Sequence, residues 1–248
     1  MPGGLVAVTT LSLILPTYNE ALNIGPLLER LGGALAGVDC EFIVVDDDSP
    51  DRTWELAEAI GQRDRRVRVI RRQGERGLTS AINRGISEAQ GRFVGWMDCD
   101  LAHPPEFVTV LLQLLLDGST DCAIASRFVA GGADTRSGEY GLQRILSLVL
   151  SRISAWLTRL PVKDITSGYL VLKRSCFADF MLEGDYGEYF ILMVHQLVHR
   201  GFRIVEIPYT FSNRQFGESK TATNLWGFFR RGVKYLRMIY LCRRGPNK

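Results

Sequence analysis

Phe93-Val94-Gly95-Trp96-Met97-Asp98-Cys99-Asp100-Leu101-Ala102-His103-Pro104-Pro105-Glu106 is the stretch on which the fold turns. Phe93–Met97 has no polar alternation and reads as a strand buried on both faces. Acids follow at its carboxyl end, and Pro104-Pro105-Glu106 suits the first turn of a helix. Outward from this point the pattern repeats. Leu11–Leu15, Phe42–Val45, Val67–Ile70 and Cys122–Ala125 are further buried strands. Amphipathic segments lie near Glu20–Leu35, Asp51–Gln62, Leu78–Gln90 and Pro104–Asp117. Alternation at this spacing predicts an α/β fold, a Rossmann-like, mostly parallel sheet with helices on both faces. In such sheets ligands bind at the carboxyl ends of the strands, near a switch in strand order.

The second half changes character. Leu142–Leu160 is a helical pattern, followed by a strand (Tyr169–Leu172), a helix (Tyr189–His199), a strand (Arg203–Ile207) and a last helix, Asn224–Leu241. No repeat or low-complexity linker interrupts it. The expected organisation is one domain over 1–222 and a basic amphipathic C-terminal segment over 223–248.

Apolar residues make up 46% and charged residues 23% of the 248, which excludes a disordered, collagen-like or disulfide-stapled chain. Thirty Lys/Arg against 27 Asp/Glu leave +3, too little for a whole surface built to bind nucleic acid. The charge is uneven: Arg214–Lys248 carries nine cations and one acid, a net of +8 that leaves −5 for the rest. Five widely spaced cysteines without a C-x-x-C pair fit a reducing compartment. No basic leader precedes Leu5–Leu15, and no apolar run reaches the roughly 18 residues of a spanning helix. The expectation is a cytoplasmic protein that does not span a membrane.

Acids gather at strand ends, Asp46-Asp47-Asp48 after the second strand and Asp98-Cys99-Asp100 after the fourth. The first group is either a solvated turn with helix caps or a binding cluster that needs a cation or donors nearby. Asp98 and Asp100, at i and i+2 in extended backbone, face the same way. Two hard oxygens so placed can meet one Mg²⁺ or Mn²⁺, an ion that commonly shares its shell with substrate phosphates and water.

Motif order sharpens this. Pro16-Thr17-Tyr18-Asn19-Glu20 ends the first strand, Asp46–Asp51 the second, Arg76-Gly77-Leu78 opens the third helix, and Asp98–Glu106 leads into the fourth. The set resembles a family-two glycosyltransferase with the GT-A fold. Ser126-Arg127-Phe128 with Gly131-Gly132, Asp164-Ile165-Thr166-Ser167-Gly168-Tyr169 and Arg214-Gln215-Phe216-Gly217-Glu218-Ser219-Lys220 narrow the resemblance to dolichol- or polyprenyl-phosphate mannose synthases, over Ser12 to Thr223.

That resemblance implies transfer of mannose from GDP-mannose to a polyprenyl monophosphate. Pro16, Tyr18 and Glu20 would line the nucleoside pocket, with Glu20 on the ribose and Asp47 on the base. Asp98 and Asp100 would bring Mg²⁺ or Mn²⁺ to the donor diphosphate. Arg127, Arg144, Ser167, Arg214 and Lys220 would handle donor and acceptor phosphates, where arginine's planar fork gives paired donors. Asp100, Arg127 and Asp164 are the catalytic candidates; Asp164 either assists near the sugar or caps the Thr166-Ser167-Gly168 turn. Three positions depart from the family pattern. Ala102 stands where relatives carry Gln or Ser, Thr79 where glycine is common, and Leu192 where Glu is frequent, with Glu188 one turn earlier.

The C-terminal helix mixes aromatics and cations as a membrane-interface helix does, and Leu142–Leu160 offers a second apolar face. The alternative is a helix packed on the domain. The chain would work at the cytoplasmic face of a membrane, binding lipid itself or through a small membrane-anchoring subunit. Competing readings are a UDP-glucose enzyme with a lipid-phosphate acceptor, a transferase acting on a sugar hydroxyl, and an inactive membrane-associated scaffold. No Q-x-x-R-W string supports a processive hydroxyl acceptor, no glycine-rich phosphate loop supports a nucleotidyltransferase, and both aspartates of the D-x-D persist.

Overall fold

The computed structural model describes residues 9–217 and 225–244. In chain order the elements are β1 (Leu11–Thr17), α1 (Ala21–Ala34), β2 (Cys40–Asp46), α2 (Thr53–Gly61), β3 (Val67–Arg71), α3 (Leu78–Glu88), β4 (Phe93–Trp96) and α4 (Val108–Leu116). Then follow β5 (Cys122–Ser126), β6 (Ala133–Asp134), α5 (Gly141–Thr158), β7 (Leu170–Lys173), α6 (Tyr189–His199), β8 (Ile204–Pro208), β9 (Thr210–Phe211) and α7 (Leu225–Arg244).

Seven strands form one sheet in the order β3-β2-β1-β4-β7-β5-β8. All neighbours run parallel except β7, which is antiparallel to both β4 and β5. The chain winds outward from β1 to β3, then returns to β1's other side with β4, so strand order reverses between β1 and β4. The carboxyl ends of these two strands carry Pro16–Glu20 and Asp98–Asp100.

Unbroken apolar runs arise because each strand alternates between two cores. Leu11, Leu13 and Leu15 face one core with Phe42, Val44 and the inner faces of α1 and α4. Ile14, Ile43, Val45, Val94 and Trp96 face the other, beneath α3 and α6. Two glycines permit the close approaches this requires. A Cβ on Gly85 of α3 would fall inside contact with the Ile14 side chain, and one on Gly95 would stand 2.6 Å from the Leu170 carbonyl oxygen.

Two features lie beyond the sequence reading. β6 pairs with β9 in a separate two-stranded ladder. A short 3-10 turn, Pro105–Phe107, precedes α4. Helix α7 takes the alternative weighed from sequence, packing on the domain: Met238, Ile239 and Cys242 join the core that holds Trp96 and Tyr189. The expected boundary at 222/223 lies outside the described residues. All five cysteines are buried.

Helix α5 is turned inside out for a surface helix. Ser151 and Ser154 are its buried residues, while Leu142, Ile145, Val149, Ile153 and Trp156 are exposed, Trp156 to 78%. Among the described residues no helix is long and apolar enough to cross a membrane.

Candidate active site

A polar cavity of about 390 Å³ opens over the carboxyl ends of β1 and β4. Pro16, Tyr18, Glu20, Asp47, Asp98, Asp100 and Arg214, all picked from sequence, line it together. An apolar cavity of about 400 Å³ adjoins it, bounded by α5 residues Leu146, Val149 and Ile153 and by Tyr189, Phe190, Arg127 and Ser167. Leu78, Asp98, Arg136, Gln143, Tyr186 and Phe211 border both cavities.

The three acids after β2 separate into three environments. Asp46 is fully buried and accepts hydrogen bonds from Ser49 N and Oγ (both 2.7 Å) and Thr17 Oγ1 (2.8 Å), fixing the turn. Asp47 accepts from Arg72 Nε at 2.8 Å, from Arg72 Nη2, and from Gly77 N at 2.8 Å. Arg72 is itself buried and also donates to Ser80 Oγ (2.9 Å) and the Gly77 carbonyl (3.0 Å), so it ties β2 to the start of α3. Asp48 pairs with Arg71 at the surface. Close by, the Arg76 guanidinium stacks 3.8 Å from the centre of the Tyr18 ring.

Glu20 accepts from Arg214 Nη2 at 2.9 and 3.1 Å and from Asn23 Nδ2 at 2.7 Å. The same Arg214 nitrogen lies 3.8 Å from Asp100 Oδ2. The D-x-D turn is held from both sides. Leu101 adopts φ 62°, Ala102 N donates to Asp100 Oδ1 at 3.1 Å, and Gln215 N donates to the Asp100 carbonyl at 3.1 Å. His103 Nδ1 accepts from Asp98 N at 3.4 Å while its ring stacks on Tyr169, centroids 5.0 Å apart. Burial, with Arg127 and Arg136 nearby, pushes the His103 pKa down to about 3, so the ring stays a neutral acceptor that positions the turn rather than a proton carrier.

Asp98 is exposed to the cavities it lines, where partial loss of bulk water and then repulsion from Asp100 and Glu20 push its pKa up. Crowded hard oxygens of this kind fit a divalent cation, whose charge relieves the repulsion. Among the described residues no cluster of three or more His, Cys, Asp or Glu completes a metal shell, and Ala102 adds no side-chain oxygen. Two carboxylates would therefore share the ion with oxygens of a bound ligand.

On the apolar side, Asp164 is completely buried and lines neither cavity. It accepts from Arg127 N (2.9 Å), Nε (2.8 Å) and Nη2 (2.7 Å), and from Thr166 N at 3.3 Å. Its geometry is that of a clamp on Arg127 and a turn cap rather than of a group reaching the sugar. Burial opposes the Arg127 charge, but Asp164 outweighs it and holds the guanidinium firmly protonated. Ser167 Oγ donates to the Ala125 carbonyl. Arg144 is exposed, borders neither cavity, and reaches the Asp134 carbonyl at 3.4 Å. Lys220 lies outside the described residues. Glu188 is buried and accepts from Asp185 N at 3.0 Å without bordering either cavity. Thr79 is buried and donates to the Tyr186 carbonyl at 3.3 Å.

Sequence reading did not single out Arg72, Arg136, Gln143 or Tyr186. Arg76, Gly77 and Leu78, which also line the polar cavity, stood inside a quoted motif.

Comparison with known proteins agrees with this architecture. Residues 12–178 match the Glycosyl transferase family 2 model. A dolichol-phosphate mannosyltransferase of Pyrococcus furiosus is 40% identical over 92% of this chain, which spans 62% of that protein's length. The Saccharomyces cerevisiae dolichol-phosphate mannosyltransferase is 31% identical, over 95% of this chain and 89% of its own. Among solved structures, glucosyl-3-phosphoglycerate synthase from Mycobacterium tuberculosis, crystallised with Mn²⁺ and UDP, superposes with a TM-score of 0.72 at 20% identity, covering 97% of this chain and 82% of that one. That likeness shows the GT-A fold. The chain is a glycosyltransferase and belongs to glycosyl transferase family 2, among the dolichol-phosphate mannosyltransferases.

Proposed function

We propose that the chain transfers mannose from GDP-mannose to a dolichyl or polyprenyl monophosphate with inversion at the anomeric carbon. The observation that carries this reading is the junction of a polar, acid-lined cavity with an apolar one that holds a buried arginine. A nucleotide sugar suits the first and an anionic lipid head the second. The names of the relatives support the same donor sugar and acceptor.

Pro16, Tyr18, Glu20 and Asp47 bind the nucleoside side of the donor, and Arg214 serves the phosphates. Asp98 and Asp100 are the residues that would hold Mg²⁺ or Mn²⁺, whose charge offsets that of the departing diphosphate. A prenyl monophosphate is already anionic at neutral pH, so no general base is needed to activate it, unlike a sugar hydroxyl. An acceptor phosphate oxygen forms a bond to the anomeric carbon from the side opposite the diphosphate. The bond to the donor's β-phosphate oxygen breaks, and GDP leaves with the electron pair. Arg127 screens the repulsion between the two phosphates, and Asp164 keeps that guanidinium in place.

Access to a lipid follows from α5. Its outward apolar stripe and Trp156 form the face of a peripheral protein at the cytoplasmic side of a membrane, and the basic C-terminal segment favours anionic headgroups. This division of labour retains 1–222 as the catalytic part and 223–248 as the basic segment, with α7 packed beside α5.

The test is transfer of labelled sugar to an extractable prenyl phosphate, with GDP-mannose and UDP-glucose run side by side, with Mg²⁺, Mn²⁺ or chelator. Metal-dependent label from GDP-mannose, lost in Asp100→Asn, is expected. Label from UDP-glucose alone would replace the donor, and no lipid label from either donor on supplied membranes would sink the lipid-phosphate reading.

A further inference from the structure

A second guanidinium stands where the two cavities meet. Arg136 borders both, whereas Arg127 borders only the apolar one and Arg214 only the polar one. Its side chain is 11% exposed and is anchored twice to Asp134, Nε donating to Oδ1 at 2.9 Å and Nη2 to Oδ2 at 2.7 Å. Asp134 lies on β6, which the β9 ladder fixes in place; its side chain is buried, and its Oδ2 also lies 3.5 Å from Arg127 Nη1. The Phe211 ring lies beneath both guanidiniums, 4.9 Å from Arg136 and 5.3 Å from Arg127.

This arrangement uses one edge of the Arg136 fork. Nη2 also approaches Ser147 Oγ at 3.5 Å, and Nη1 has no partner among the described residues. A guanidinium fixed by a carboxylate along one edge and resting on an aromatic ring is preorganised to offer its other donors to a phosphate. Arg144, the cation expected from sequence on this side, is exposed and borders neither cavity.

We propose that Arg136 binds the acceptor's phosphate at the junction of the two cavities and holds it toward the donor. The proposal rests on the lipid-phosphate reading. Arg127 and Arg136, joined through Asp134, form a two-arginine cradle of which sequence motifs revealed only one member.

The test uses the full chain and a short-chain prenyl monophosphate. Transfer from GDP-mannose gives a KM for each substrate, and calorimetry without donor reads binding of the prenyl phosphate independently of turnover. Arg136→Gln is expected to raise the acceptor KM and weaken acceptor binding about ten- to hundred-fold, the loss of a charged hydrogen-bonded contact. The donor KM should stay within about two-fold. Arg136→Lys, which keeps the charge but not the fork, should fall between. Wild-type acceptor KM and binding in Arg136→Gln overturn the assignment, as does the reverse ranking in which Arg144→Gln carries the loss. If Arg136→Gln fails to fold, Arg136→Lys decides, and unchanged acceptor binding there overturns the assignment. A wild-type chain that binds the prenyl phosphate yet transfers nothing from GDP-mannose overturns the donor reading and leaves Arg136 judged by calorimetry. A wild-type chain that does not bind it overturns both.

Discussion

Replacing Asp164 by Ala removes the carboxylate that accepts three hydrogen bonds from Arg127. The three hydrogen bonds lost, to Arg127 N, Nε and Nη2, range from 2.7 to 2.9 Å, and the Arg127 side chain is only 3% exposed. Water cannot readily take the place of the carboxylate, so a buried cation loses its main partner; breaking a buried pair in this way typically costs about 3–5 kcal/mol. Thr166 Oγ1, 2.6 Å from Arg127 Nη2, and Asp134 remain. The lower end, about 3 kcal/mol, is therefore expected. With a urea m-value of about 3 kcal/mol/M, the unfolding midpoint should fall by about 1 M. Transferase activity should fall as well, because Arg127 loses its orientation. Replacing both partners together, Arg127→Met with Asp164→Leu, should recover much of the stability but none of the activity, since it removes the stranded charge along with its phosphate contact. The measurements are urea melts by circular dichroism and kcat/KM for transfer. A midpoint unchanged within about 0.2 M, together with abolished turnover, would refute the clamp and return Asp164 to direct chemistry on the sugar.

Asp121 gives a pH-dependent outcome. Burial raises its pKa, but hydrogen bonds from Arg203 and Lys173 (2.6 Å) outweigh that and hold it well below the ordinary value of about 4. A folded pKa depressed in this way stabilises fully above about pH 4, and the contribution drains away as pH falls from there toward the folded value. Asp121→Asn should accordingly melt below wild type at pH 7, and the gap in Tm should narrow below about pH 4; a gap independent of pH would show that the charge is not responsible. The exposed stripe of α5 gives a binding outcome. Co-sedimentation with anionic vesicles should drop several-fold in Trp156→Ser combined with Ile153→Ser, by roughly 25 cal/mol for each Å² of apolar surface withdrawn from lipid. Unchanged binding by the double variant would move the membrane contact elsewhere or to a partner subunit.

The five strands of the first half, and the acids at their ends, were legible because the relevant signals are local. Unbroken apolar runs such as Phe42–Val45 belong to strands with helices on both faces, and the residue after such a run stands at the sheet's carboxyl edge. The spacing of Asp98 and Asp100 likewise predicted their common direction, and both border the polar cavity. The antiparallel course of β7 was not legible, since Leu170–Lys173 is as apolar as its parallel neighbours and direction leaves no mark on composition. The β6–β9 ladder is two residues long on each side, too short for any periodic signal.

Partnership among charged groups was the part that only the tertiary structure decided. Sequence placed Asp47 in a run of three acids; the fold gives it Arg72, from the end of the next strand, and thereby makes it part of a buried ion pair. Glu20 and Arg214 are 194 residues apart and share two hydrogen bonds. Asp164 turned out to be enclosed, Arg144 exposed, and Arg136, in a loop without a recognisable motif, stands between the cavities. The physical reason is one of range. Hydrophobic period and strand-end position are properties of a few consecutive residues, whereas the strength and role of a charge depend on burial and on which opposite charge arrives from a distant segment. From its sequence alone this chain declared a nucleotide-sugar fold with a D-x-D pair; folding decided which cations face the ligands and which serve only to hold others in place.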